Sequence, residues 1–546
     1  MLKNLLLIIG FGWVIQVNAQ NTVGLISSSD ESDPGYTLFS PIPSNEIFLI
    51  DNCGEQVHSW QASGSPALAC YLLPDGSLLR PTGAPDAFFH AGGVGGRIEK
   101  VDWDGNIIWS YDVSDSLQCQ HHDIELLPNG NILVIAWDLY DTAAQIAKGR
   151  TTIIEPLWSE KIIEIEPDYV NGGGTVVWEW KAWDHLVQDV SDTLEGFGVV
   201  SEHPELIDIN YIGINNGSPD WLHFNSLDYH EGYDQIVISV HHSSEIWIID
   251  HSTTTAEAAS HFGGNSGKGG DLLYRWGNPI AYQQGTVDDQ QLHKQHDAQW
   301  IQDSLVHGGM ILIFDNQEFL PIEGSAVDVI ETPVDAEGNY TYSGGAYLPE
   351  ATHWTYQADP VTDFYSQRIS GAQRLSNGNT LICQGRGGRF FEVDLDGNIV
   401  WEYINPVSAN GIIEQGFQPT QNNVFRVTRY PLDYLNVPAD DLDPIGPIET
   451  GSDYDCTLVS NEEIVSNPLA FEVSPNPFMD MIYIEIVSGD LDMDLVVVDM
   501  YGKVVYQEKI DRQTHTLTLD SSTWAAGVYG VSIRTAVGTQ STLIVK

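Results

Sequence analysis

Residues 125–134 read ELLPNGNILV, a short apolar run, a Pro-Asn-Gly turn and a second apolar run. Asn-Gly between two such runs is the strongest short-range hairpin signal, because a tight turn needs positive φ and these two residues adopt it readily. The unit recurs as YLLPDGSLLR at 71–80 and RLSNGNTLIC at 374–383. A second kind of hairpin follows it, RIEKVDWDGNIIWSY at 97–111 and RFFEVDLDGNIVWEY at 389–403, with a longer variant, KIIEIEPDYVNGGGTVVWEW, at 161–180. Two hairpins in succession make a four-stranded antiparallel sheet, and repetition of that sheet is the signature of a β-propeller. Inner hairpins are expected near 68–80, 122–137, 223–241, 296–315 and 370–386. A sixth sheet is expected to be closed by both ends of the domain, from EIFLIDNCGEQVHSW at 46–60 and NVFRVTRYPLDY at 423–434. The predicted fold is all-β, a six-bladed β-propeller over 20–437 followed by a small C-terminal β-sandwich. An array of β-sandwiches is the structural alternative.

Outside the repeats the chain divides simply. MLKNLLLIIGFGWVIQVNAQ has a positive Lys3, an apolar stretch from Leu5 to Val17 and a small-residue cleavage site at Val17-Asn18-Ala19, so residues 1–19 read as a secretory signal peptide. No apolar run in the remainder is long enough to span a bilayer. Residues 438–464 are rich in Pro and Asp and read as a linker, and 465–546 read as a compact all-β segment with alternating strands such as MIYIEIV and DLVVVDMYGKVVYQEKI. The 546 residues carry 22 Lys and Arg against 76 Asp and Glu, a net charge of −54. That excludes a nucleic-acid partner, which needs a basic face. Of the five cysteines, Cys53 and Cys70 flank neighbouring strands and are a possible disulfide, and the odd number leaves at least one thiol unpaired within the chain.

Three histidines stand about six residues before a hairpin turn at the start of three inner strands: His122 in HDIELLP, His223 in HFNSLDY and His296 in HDAQWIQ. Equal offsets in a propeller give equal heights, so these side chains are expected at one mouth of the channel. The turn after His223 centres near Gly232, which pairs His223 with His241 across the hairpin, next to His242. The same arithmetic around Gly378 pairs Ser370 with Arg386 and makes that Arg a candidate cation in the ring, along with Arg374. Folding alone requires none of this clustering.

Residues 90–430 resemble the bacterial arylsulfate sulfotransferases. The likeness is carried by His121-His122-Asp123 before LLPNGNIL, by Trp221-Leu222-His223-Phe224-Asn225-Ser226 before IVISVHHSSEIWIID, and by Gln295-His296-Asp297-Ala298. The resemblance implies a nucleotide-independent transfer of a sulfuryl group from a phenolic sulfate to another phenol through a covalent sulfohistidine, with no cofactor. It implies His296 as nucleophile and His122 and His223 as its supports. His241 falls where the family has Arg, since Ser239-Val240-His241-His242 stands in place of Ser-x-Arg-His. Asn225, His242, Arg374 and Arg386 are the candidate substrate-binding residues.

Residues 465–546 resemble the type A C-terminal sorting domain of the type IX secretion system, through Ser474-Pro475-Asn476-Pro477-Phe478, Met500-Tyr501-Gly502-Lys503, Ala526-Gly527-Val528-Tyr529 and the terminal LIVK. That implies the type IX machinery as a partner and a secreted or cell-surface protein. The chemistry suits the residue types. Neutral imidazole is a competent nucleophile, and a covalent intermediate divides one hard step in two. Preorganised N–H donors and cations stabilise the sulfuryl oxygens. Two other readings compete: a metal held by the clustered histidines with Asp123 or Asp297, and a non-catalytic propeller that binds a sulfated or other anionic ligand. Asp-Gly motifs such as Asp102 to Gly105 read as hairpin turns, not calcium loops.

Overall fold

The computed structural model describes residues 21–451 apart from 43, 85–87, 212, 214–216 and 319, and residues 471–546 apart from 476, 487–492, 500–502, 511–515, 526 and 536–537. The signal-peptide reading of 1–19, Cys456, residues 452–464 of the linker and parts of the sorting motifs (Asn476, Met500-Tyr501-Gly502, Ala526) lie outside the described residues.

The chain is all-β and divides into two units, 1–460 and 461–546. In the first, six antiparallel sheets of four or five strands follow one another along the chain, giving a propeller-like fold. Their inner strands are Tyr71–Leu72, Gln118–Leu126, Phe224–His230, His296–Trp300, Gly371–Arg374 and Val424–Pro431. The last of these pairs with Gly35–Pro41, so both ends of the unit share one sheet. Side chains stitch each inner strand to the next. Leu227 N–H donates to Asp123, Ala298 N–H to Ser226, Ala372 N–H to Asp297 and Arg429 N–H to Gln373. Leu72 N–H donates to Tyr430, and Tyr71 donates to Asp123, which returns the series to its start.

The strands read as continuous apolar runs because both faces of each sheet are covered. Successive side chains point to opposite faces, so each strand feeds two cores. Leu78 packs with Leu38, Leu49 and Trp60, whereas Leu79 packs with Ile124, Ile132 and Val134. Ile311 joins Val237 and Trp276, whereas Leu312 joins Ile382 and Phe391. Leu133 and Ile135 lie with Ile236 and Trp247, and Leu381 with Phe39 and Val424. Each buried side chain of this size contributes ~1.5–3 kcal/mol relative to exposure.

Three details depart from the sequence reading. Gly24–Ser28 adds a fifth strand outside Ile399–Ile404. Part of the segment read as linker belongs to the first unit: Gly446–Pro447 pairs with Glu55 and Gln56, and Ile448 is buried in a core. Cys53 is disulfide-bonded while Cys70 is a free thiol, so the Cys53–Cys70 pair does not form. Cys53 turns between two outer strands of one sheet, and Cys70 enters the inner strand of the next.

The second unit is a β-sandwich. Phe471–Ser474, Met481–Ile486 and Thr516–Asp520 form one sheet, and Met493–Asp499, Val504–Ile510, Val528–Thr535 and Gly538–Val545 form the other. Ile482, Ile484 and Leu519 of the first share a core with Leu495, Val497, Val531 and Ile544 of the second.

Candidate active site

Three inner strands break register near one end of the channel. Pairing jumps between Val134 and Ala136 opposite 121–123, between Phe224 and Ser226, and between His296 and Gln299. The left-handed residues there are not glycine: His122, His223 and Asp297 have φ of 53°, 56° and 53°. Bulges re-aim side chains and bulky residues resist positive φ, so such geometry is held only where the surroundings enforce it.

The bulges gather the predicted histidines. His122 and His223 have ring centroids 4.5 Å apart, His223 and His241 5.1 Å, and His241 and His296 5.0 Å. His241 N–H donates to His223 O, the cross-hairpin pairing expected from the turn. Phe425 closes the arc, 6.1 Å from His122 and 6.4 Å from His296. His242 stacks on the far side of His223 at 4.9 Å. Ring nitrogens of these histidines are not grouped for a metal: among the described residues, the one set of three candidate ligands lies elsewhere.

Each histidine is oriented from behind. His296 Nδ1 lies 2.7 Å from Asn316 Oδ1. The Asn316 amide donates to Ser366 O and Ile369 O, so its oxygen is the atom facing His296 and must accept. The lone pair of His296 is thus on Nε2, where Ile369 N–H approaches at 3.2 Å. Ile369 and Ser370 are themselves left-handed, φ 56° and 94°, which turns that N–H inward. His223 Nδ1 bonds Asp220 Oδ2 at 2.5 Å. His122 Nδ1 meets His121 Nδ1 at 2.8 Å, and His121 Nε2 meets Glu160 Oε2 at 2.8 Å.

Burial sets the charge states. It pushes His296 down to about 3, aided by the charges on His223 and Arg426 and opposed by the Asn316 hydrogen bond. It holds His122 and His241 well below the usual imidazole value, and His121 and His242 at about 3. Burial also raises Glu160 far above the usual carboxyl range. For Asp220, burial opposes ionisation, but the charge and hydrogen bond of His223 outweigh it and hold the carboxyl at about 2. His296, His122, His241, His121 and His242 are therefore held neutral, while His223 is bonded to the ionised Asp220.

Two cations serve it that no spacing pattern indicated. Arg426 lies on the closing inner strand, paired with Asp123 at 3.0 Å and Asp297 at 2.9 Å and bonded to Tyr71 at 3.0 Å. Burial opposes its charge, and the two carboxylates more than compensate. Lys294 is 4% exposed, and among the described residues its ammonium has no hydrogen-bond or ion-pair partner. Burial lowers it to about 8, against the charges of Glu318 and Asp220. Its charge acts on both His241 and His242. The buried His241 Nδ1 is also without a partner.

The other candidates lie apart. Asn225 is fully buried and donates to Gln295 O at 2.8 Å, so it holds the backbone entering His296. Gly371 pairs with Cys383, which sets Ser370 opposite Gln384 and leaves the exposed Arg386 in the turn beyond the strand. The expected Ser370–Arg386 pairing is off by two residues because the turn centres one residue earlier than assumed. Arg374 bonds Gly378 O at the hairpin end, beside His307 and Trp354. It lines an open cavity of about 660 Å3 with Glu125, Asp228 and Trp300, at the opposite end of the inner strands from the histidines.

Fold and site together define an all-β propeller-like protein with an arc of four histidines in its channel. The chain belongs to the arylsulfotransferase family: the model described as Arylsulfotransferase (ASST) matches residues 87–392, more than half of the sequence. The model for the secretion system C-terminal sorting domain matches residues 472–546. No curated protein matches the chain. Among solved structures, a protein of unknown function from Bacteroides caccae aligns at 11% identity, over 73% of this chain and 99% of that one, with a TM-score of 0.40. A streptogramin B lyase aligns at 12% identity, over 76% and 96%, with a TM-score of 0.32. A duf3244 family protein from Bacteroides vulgatus with an immunoglobulin-like β-sandwich aligns at 23% identity, over 14% and 82%, with a TM-score of 0.13.

Proposed function

We propose that this protein moves a sulfuryl group from an aryl sulfate ester to a phenolic acceptor through a sulfo adduct on His296 Nε2. The observation that carries the reading is the placement of His296 Nδ1 on Asn316 Oδ1, which leaves a neutral, unprotonated Nε2 in an arc of three further imidazoles. Family membership supports the same chemistry.

In the first half-reaction the Nε2 lone pair attacks sulfur as the S–O bond to the aryl group breaks. The leaving phenolate, whose parent phenol has a pKa of about 10, takes a proton from His122 Nε2. That proton is available because protonated Glu160 donates to His121 Nε2, His121 Nδ1–H donates to His122 Nδ1, and Nε2–H then faces the channel. In the second, the acceptor phenol loses its proton to His223 Nε2 as its oxygen attacks sulfur and the N–S bond breaks, and that proton returns through His122 and His121 to Glu160, which restores the starting state. Asp220 keeps the other His223 nitrogen protonated, so Nε2 is the base. As Nε2 attacks, Ile369 N–H is released from it and turns, with Lys294 and His241, to the sulfuryl oxygens. Lys294 supplies the charge that a neutral His241 lacks, and fixed donors around developing charge are the strongest contribution to such catalysis.

The six sheets are read as six blades, with the catalytic unit running to about residue 451. Residues 1–19 act as the export signal, and the C-terminal domain directs the protein through the type IX machinery to the cell surface or medium. Incubation with 4-nitrophenyl sulfate, with and without phenol, tests the reaction. A sulfo adduct mapped by mass spectrometry to His296, discharged by phenol, is the expected result. Transfer that survives in His296→Asn overturns it.

A further inference from the structure

One cluster of ligand-type side chains lies outside the channel and takes no part in the chemistry above. His185 follows the turn Ala182–Asp184, His261 lies beyond the helix Thr255–Ala258, and Asp271 precedes the strand Tyr274–Trp276. His185 Nδ1 is 2.8 Å from Asp271 Oδ1, and His261 Nδ1 is 2.7 Å from the same oxygen. One ligand atom from each residue lies within 4.8 Å of the others, and no other trio of His, Cys, Asp or Glu among the described residues does this.

The hydrogen bonds around His185 leave a conflict. Its ring is fully buried against Trp180, with centroids 5.6 Å apart. Its Nε2 lies 2.8 Å from Ala258 O. A carbonyl only accepts, so Nε2 carries a hydrogen. In the neutral ring Nδ1 then has only a lone pair, and it faces a carboxylate oxygen that is also an acceptor. Two lone pairs at that distance repel. Either a second proton or a metal cation must resolve them. The backbone carbonyl on the remote ring nitrogen is the support that metal-bound histidines almost always have. The approach is close: a Cβ on Gly270 would sit 2.0 Å from Ala258 O and 2.5 Å from His185 Nε2. Trp180 holds this loop by donating to Gly270 O at 2.7 Å. His261, by contrast, is 58% exposed, which leaves a path for an ion and room for a water.

We infer that His185 Nδ1, His261 Nδ1 and Asp271 Oδ1 form a zinc site completed by water. Two imidazoles and a carboxylate suit Zn2+ better than the hard cations Mg2+ or Ca2+. The ion ties the 255–271 loop to the end of the Gly174–Lys181 strand and so fastens the outer edges of two neighbouring sheets.

The test uses the full-length protein, stripped with chelator and titrated with ZnCl2 by calorimetry and thermal unfolding. The expected result is a site of one zinc per chain that raises Tm. In His261→Asn, whose position is exposed enough for the chain to fold, affinity at this site should fall at least tenfold and the Tm shift should vanish. Sulfuryl transfer by that variant should be unchanged. Asp271→Asn should lose the zinc site in the same way. Absence of binding below millimolar zinc, or a zinc-dependent Tm shift that persists in His261→Asn, overturns the proposal and leaves a proton, not a metal, between His185 Nδ1 and Asp271 Oδ1.

Discussion

The Nδ1 atoms of His121 and His122 lie 2.8 Å apart, so one of them carries a hydrogen and the other a lone pair. Both arrangements are possible, and they differ in what His122 presents to the channel. With Glu160 protonated, His122 Nε2 is a donor; with Glu160 ionised, it is an acceptor. Movement of two hydrogens through the three groups, as His122 Nε2 releases a third to the channel, exchanges these states without charging either ring.

Glu160→Gln should break that exchange, since an amide cannot pass a proton on. General acid catalysis is worth on the order of 10²–10⁴-fold. The value of kcat/KM should fall by about 10²-fold for donors with a poor leaving group such as phenyl sulfate, and by less than about tenfold for 4-nitrophenyl sulfate. A uniform loss across a series of aryl sulfates would mean that Glu160 acts only by holding Phe224 N–H.

Asp220→Asn should separate the two half-reactions. The Asn side chain can present its amide to His223 Nδ1 and force the wrong tautomer, which in a comparable serine-protease dyad costs about 10⁴-fold. Adduct formation on His296 should persist while transfer to phenol slows by on the order of 10³-fold. The sulfo adduct should therefore accumulate to a level visible by intact-protein mass spectrometry.

The pH profile should be unlike that of an ordinary histidine nucleophile. The active form of His296 is neutral and gains a proton only near pH 3. No loss of kcat/KM from this group is expected between pH 7 and pH 5, where a normal imidazole would titrate. Lys294 is charged below about pH 8 and loses its charge above, so kcat/KM should decline on the alkaline side. Lys294→Met should lower kcat/KM and flatten that decline, and Lys294→Arg should move it to higher pH.

Arg426→Met should destabilise the fold by about 3–5 kcal/mol, the usual penalty for leaving buried charge unpaired. It strands Asp123 and Asp297. Burial already raises Asp297 to about 6 despite Arg426. A carboxyl raised in the folded state favours folding at low pH and loses that contribution as pH rises through the folded value. The variant should therefore be relatively more stable at pH 5 than at pH 8 in denaturant titrations. Asp297→Asn in the same chain should recover part of the loss at pH 8.

The hairpins were legible because Asn-Gly and Asp-Gly mark their turns, and the His223–His241 pairing followed from counting outward from one of them. The closing sheet was legible from two strand-like segments at opposite ends. The supports of the site were not. Glu160 reaches His121 from 39 residues away, across the intervening strand of their own sheet, and Arg426 reaches Asp123 from 303, from a strand at the other end of the unit; both depend on which way side chains point. Lys294 was hidden by its place beside His296, where a left-handed backbone at φ 66° changes its direction. Arg386 was misplaced by a shift of one residue in the centre of a turn, which no local pattern reports.

The strand that carries Phe425 and Arg426 is the last of the six to leave the ribosome, yet it lies beside residues from the beginning of the chain. Until it arrives, Asp123 and Asp297 face one another with no counter-ion between them, and His122 and His296 lack the ring that closes their arc. The arc and its ion pairs are therefore complete only when this strand is in place. A chain interrupted between residues 316 and 425 carries every histidine of the arc but neither the ring that closes it nor the cation that pairs Asp123 and Asp297.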